Sequence, residues 1–224
     1  MKNKSYIGIS FIILIFGIWA VPNIIERVKT SSVVQGKSLD NVSGTDSNLM
    51  KIGKAPDFSL VNQNGQTITQ ADYAGKVYVL EFFFSTCPTI CPKMNANMKE
   101  IEKEFFGSPN FGIASITINP EYDTPEVLKA HADALGVKST NWHFLTGDAD
   151  YIMNIANKGF NLYAGQNKNV AGGFEHSGFF ALIDKNGNIR SRKDTYGNPI
   201  VYYDGIEPEG VKQLVQDIKL LLNE

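Results

Sequence analysis

Two cysteines are all this chain has, and both stand in the run FFFSTCPTICP, residues 82–92, as Cys87 and Cys91. They are four positions apart, and each is followed by a proline. On a helix that spacing puts both side chains on one face, about 5–6 Å apart at Cβ. Pro88 and Pro92 suit a helix that begins here, because first-turn N–H groups lack intrahelical partners. A helix N-terminus lowers thiol pKa, so both sulfurs incline toward thiolate. Thiolates serve nucleophilic attack, reversible disulfide exchange and soft-metal binding alike. A purely structural disulfide is disfavoured, since closing so short a loop stabilises by only about 2 kcal/mol.

Other residues with ligand chemistry are sparse. His131 lies mid-helix beside Lys129 and Asp133, which predicts an exposed structural role. His143 sits in NWHF, 141–144, an expected strand without neighbouring ligand types. His176 follows Ala171-Gly172-Gly173 and precedes a strand; by its residues alone it reads as a surface histidine. Asp123 precedes Thr124-Pro125 and could cap the helix they open. Glu175 reads as a solvated loop charge.

The elements that must position these groups follow from periodicity. Residues 57–61 and 76–84 read as strands, the second buried, because VYVLEFFF is apolar except for Glu81. Helical spacing of Met94, Met98, Ile101 and Phe105 predicts a helix over 91–106. FGIASITI, 111–118, reads as another buried strand, and 124–135 as a helix with Thr124 as N-cap. Residues 141–145 predict a strand and 149–158 a helix. Strands over 178–184 and 189–193 join through Asn186-Gly187, a strong hairpin signal, and a helix over 208–223 follows. Alternating strands and helices with a late hairpin point to an α/β sheet covered on both faces, an order that a thioredoxin-like fold satisfies.

Length and composition fit one core-forming domain, 51–224, with accessory segments before it. Net charge is −2 with no dense basic block beyond the extreme amino terminus, which argues against nucleic acid as a partner. Residues 5–25 carry no charge and would span about 30 Å as a helix, the thickness of a hydrocarbon core. With no clear A-x-A cleavage site, a transmembrane anchor is preferred over a cleaved signal peptide. The head 1–4, with Lys2 and Lys4, is expected in the cytoplasm and the domain outside it, although Arg27 and Lys29 nearly balance the charge count. Residues 26–50, rich in Ser, Asn, Asp and Gly over their second half, read as a flexible linker.

The motif FFFSTCPTICPKM resembles the C-x-x-x-C-P motif of the Sco/SenC family, thioredoxin-like copper proteins of cytochrome c oxidase assembly. SITINPEYDTPEVLKAHA, 115–132, is similar to that family's strand ending in Pro and an Asp-Thr step before a helix. FEHSGFFALIDKNGNI, 174–189, resembles its single His ahead of a strand and hairpin. The resemblance implies copper, one Cu(I) or Cu(II) per chain, held by Cys87, Cys91 and His176, with Asp123 orienting a ligand nearby. It implies delivery to cytochrome c oxidase subunit II, a periplasmic copper donor or thiol reductant as a further partner, and residence on the extracytoplasmic side of the inner membrane. Ligand exchange of this kind is not enzymatic turnover. Two departures stand out: Thr89 and Ile90 replace the acid often found between the cysteines, and 194–209 is longer than usual.

Competing chemistries fit less well. A peroxiredoxin would carry Thr or Ser at 84 and Pro at 80, where this chain has Phe84 and Leu80. A general thiol–disulfide oxidoreductase would show C-x-x-C and a proline where Ser177-Gly178 stands. Catalytic zinc would need a general acid–base residue that the sequence does not offer. Dithiol reduction of the oxidase subunit's cysteines by the Cys87–Cys91 pair remains the alternative.

Overall fold

The computed structural model describes residues 49–224. The expected head, anchor and most of the linker lie outside the described residues, among which no helix is long and apolar enough to cross a membrane.

Two strands form the centre. β4 (Val77–Phe83) and β5 (Phe111–Thr117) pair in parallel along their whole length, and every residue of both is buried. Parallel pairs covered on both faces call for such continuous apolar runs. β6 (Trp142–Thr146) extends the parallel set beyond β5. On the other side β9 (Phe179–Ile183) runs antiparallel to β4 and turns into β10 (Asn188–Ser191). Gly187 takes φ 73° in that turn, and Asp184 accepts from the backbone N–H of Asn186 and Asn188. The predicted hairpin is therefore present. Edge strands β1 (Met50–Lys54), β2 (Ser59–Asn62) and β3 (Thr67–Thr69) complete the order β1-β10-β9-β4-β5-β6-β2-β3.

Helix α1 (Cys91–Glu104) connects β4 to β5, and α2 (Pro125–Leu135) connects β5 to β6. Thr124 caps α2 by accepting from Val127 N–H, as expected. Successive strand residues face opposite sides of a sheet. Phe83 stacks on His131 of α2, whereas Phe82 meets Phe160 at the end of α3 (Ala149–Asn154) and its π-turn extension (Ile155–Gly159). Both faces are thus covered, as the α/β reading expects. Phe82, Phe83 and Phe84 are at most 2% exposed, and burying each contributes about 1.5–3 kcal/mol.

Several short strands lie outside the expected element list, β1 and β3 among them. β7 (Ala164–Gln166) and β8 (Phe174–His176) make a separate ribbon, and His176 is the last residue of β8 rather than a loop residue. β11 (Tyr203–Asp204), inside the long 194–209 segment, pairs with β9. Helix α4 (Pro208–Asn223) then follows with the predicted bounds.

Candidate metal centre

The loop from Phe84 to Ile90 leaves the end of β4 and delivers Cys87, after which α1 opens on Cys91. Its N-cap, Ile90, makes no side-chain capping bond, so the helix N-terminus is left to the sulfurs. Cys87 Sγ lies 3.6 Å from Thr89 Oγ1, and the backbone N–H groups of Thr89 and Cys91 favour charge on it. Both thiols are free and buried, at 8% and 2% exposure.

The pair titrates as a unit. A hydrogen bond from Cys91 holds the Cys87 thiol far below its ordinary range, and the same bond together with burial pushes Cys91 up. One proton leaves readily. The second is retained between the sulfurs.

His176 completes the group from 85 residues away in the chain: its Nε2 stands 3.0 Å from Cys91 Sγ. Nδ1 lies 3.1 Å from the Ser177 carbonyl oxygen, which can only accept. Nδ1 therefore carries the hydrogen and Nε2 presents its lone pair to the sulfur, the tautomer a metal ligand needs. Phe84 meets the imidazole edge-on at 5.9 Å and fixes its plane. The Cys87, Cys91 and His176 ligand atoms all lie within 4.8 Å of one another. Cys87 and His176 open onto a cleft of about 220 Å³ with Ile90, Val170 and Phe174 on its walls, and Cys91 lies beneath. A larger cavity of about 500 Å³ sits near the start of β4, and neither cysteine lines it.

Two contacts lock the loop over the histidine. Gly172, at φ 88°, lies so close to Phe84 and Pro88 that a Cβ would come within 2.9 Å and 3.1 Å of them. Gly178 meets Ile206 of the long segment, and a Cβ there would fall 2.4 Å from its Cδ1. The long segment thus packs two residues beyond His176, at the start of β9.

Asp123 is fully buried and serves neither as a cap nor in the group that could hold a metal. Its carboxylate accepts from Ser85 N–H at 3.1 Å and from the hydroxyls of Ser85 and Thr117. It ties the cysteine loop, two residues before Cys87, to the end of β5. His131 is half-buried between Phe83 and Phe144 rather than exposed, because α2 turns its inner face to the sheet. His143 packs on Tyr73 and lies 3.3 Å from Asn62 Nδ2. Neither approaches the cysteines. The contacts that Phe84, Gly172, Gly178 and Ile206 make around the histidine were not legible in the sequence, since nothing local marks a glycine or isoleucine as a neighbour of a distant loop.

The SCO1/SenC family model matches residues 48–208. The chain belongs to the SCO1/SenC family. The SCO1 protein homolog of Bacillus subtilis is 29% identical over 168 residues, covering 72% of this chain and 79% of that relative. BsSco, a member of the Sco family of cytochrome c oxidase assembly proteins with a disulfide switch, superposes with TM-score 0.63 at 26% identity, covering 76% of this chain and 95% of that one. Yeast Sco1 with copper bound gives TM-score 0.53 at 27% identity, over 75% of this chain and 89% of that one. The mixed α/β, thioredoxin-like fold is thereby that of Sco proteins, and the Cys-Cys-His group of this SCO1/SenC chain is one that could bind copper.

Proposed function

We propose that this SCO1/SenC chain is a membrane-anchored copper-binding protein that holds one copper through Cys87, Cys91 and His176. It passes that copper to the dinuclear site of cytochrome c oxidase subunit II, on the extracytoplasmic side of the membrane that residues 5–25 would span. The observation that carries the reading is the convergence of two free sulfurs and an imidazole nitrogen within 4.8 Å. Two thiolates suit Cu(I), and adding an imidazole accommodates Cu(II) as well. Copper would replace the proton that the Cys87–Cys91 pair retains. The cleft over Cys87 and His176 gives an incoming ligand access, so transfer can proceed by stepwise exchange, with a periplasmic donor loading the site.

A second reading is favoured by the two free thiols lying side by side, where the hydrogen bond from Cys91 holds Cys87 toward thiolate, the form in which a dithiol attacks a disulfide. The pair would then reduce the oxidase subunit's cysteines before copper arrives. Metal analysis of the purified, reduced chain tests the copper reading. One copper per chain is expected; stoichiometric zinc without copper uptake would overturn it.

A further inference from the structure

Glu81 is fully buried in the middle of β4, and the copper reading gives it no task. Its Oε1 accepts a 2.7 Å hydrogen bond from Ser115 Oγ, which in turn accepts from Trp142 Nε1 at 3.0 Å. An indole N–H only donates, so the serine hydrogen is committed to Glu81. Any proton that Glu81 carries must therefore sit on Oε2, which has no partner among the described residues. A buried carboxylate oxygen without a donor is costly, and its ionisation is correspondingly sensitive to nearby charge.

The charges around this face are few. α1 contributes Cys91 and Lys99, whose ammonium is 5.9 Å from the Trp142 ring and paired with Glu102. α2 contributes His131, β8 contributes His176, and α4 contributes Asp217, which is paired with Arg192. No hydrogen bond joins Glu81 to either cysteine or to His176, but β4 runs from Glu81 straight into the loop that carries Cys87, and the charges of Cys91 and His176 are felt at this depth in the core. The coupling is by field, not contact.

We propose that Glu81 is a redox-linked proton site, releasing a proton when the Cys87–Cys91 pair is oxidised and regaining it on reduction. The reduced pair carries one thiolate and one thiol. Closing the S–S bond sends two electrons to an external disulfide of the glutathione class, releases the thiol proton, and removes one negative charge from the site. Glu81 then ionises more easily, and its Oε2 proton leaves as well. Reduction breaks the S–S bond, takes up two electrons and restores both protons. The inference rests on the reading of Cys87 and Cys91 as a working site, but not on copper.

The test uses metal-free full-length chain equilibrated in glutathione redox buffers between about pH 6 and 8, with the disulfide fraction read by thiol alkylation. The oxidation equilibrium constant of wild type should climb up to about tenfold more per pH unit than that of Glu81→Gln, the signature of one additional proton. In parallel, the infrared band of a protonated carboxyl should be lost on oxidation of wild type and be missing from the variant. Ser115→Ala, which removes the donor to Oε1, should move the extra-proton window to higher pH. Parallel pH curves for wild type and Glu81→Gln, or no carboxyl band in reduced wild type, would overturn the assignment. Copper uptake is measured separately, so its failure is a distinct result.

Discussion

A carboxyl enclosed in the core is least costly when protonated, and Glu81 is such a group. Burial pushes its pKa up to about 7, against the opposing pull of the Ser115 hydroxyl and the His176 field. A group raised in the folded state contributes its full stability below the unfolded pKa, and that contribution is lost as pH rises through the folded value. The penalty therefore builds from the ordinary glutamate range to about pH 7 and is constant above it. At about 1.4 kcal/mol per pH unit it reaches roughly 3 kcal/mol. Glu81→Gln should match wild type near pH 4 and exceed its stability by roughly that amount at pH 8. Denaturant unfolding at the two pH values checks it; a difference independent of pH would show that Glu81 is protonated, or ionised, throughout. The sequence did mark this residue as the one acid in an apolar strand. It could not mark the polarity of the Trp142–Ser115–Glu81 chain, because that depends on strand register.

Elements show the same division between local and distant information. The buried strands, α1, α2 and α4 were readable because their apolar spacing is local and long. Thr124 and Asn186-Gly187 marked their cap and turn through side-chain chemistry in the immediate sequence. β1, β7, β8 and β11 were not, since short strands of two to five residues carry too few positions for a period and owe their form to a partner strand. The role of Asp123 was open for the same reason: its partners Ser85 and Thr117 sit on the ends of other elements. Gly172 is where such long-range fitting is least forgiving. An alanine there would need a left-handed backbone, costing about 1–2 kcal/mol, and its Cβ would press on Phe84 and Pro88. Gly172→Ala should leave α1 and the central strands intact but move the Phe84 ring off His176. The expected result is a loss of about 1–3 kcal/mol in stability together with weaker metal retention. Thermal unfolding and a competitive chelator titration read the two effects; undiminished retention would show that the Phe84–Gly172 contact does not position the imidazole.

At the scale of the whole molecule, the site joins two candidate ligands that are local to a third that is not. Cys87 and Cys91 are placed by one loop and one helix start, and any fold with that turn would hold them. His176 reaches them because β9 pairs beside β4 and the segment leading into the β7–β8 ribbon packs on the cysteine loop where Gly172 meets Phe84 and Pro88. Dithiol exchange needs an attacking and a resolving thiol, which the local part supplies unaided. Holding copper in both oxidation states needs the imidazole, because two thiolates alone suit the reduced ion. The long-range part of the fold is thus superfluous to a reductase and required by a copper carrier. His176→Ala should accordingly leave the pair redox-active and Cu(I) bound, while Cu(II) binding falls by at least tenfold, the equivalent of about 1.4 kcal/mol. In cells the same substitution should impair cytochrome c oxidase assembly, most severely when copper is scarce. Cys87→Ser and Cys91→Ser abolish both chemistries and cannot separate them. Oxidase activity measured across a copper series decides the matter: normal assembly by His176→Ala at the lowest copper would leave dithiol reduction as the function of the site.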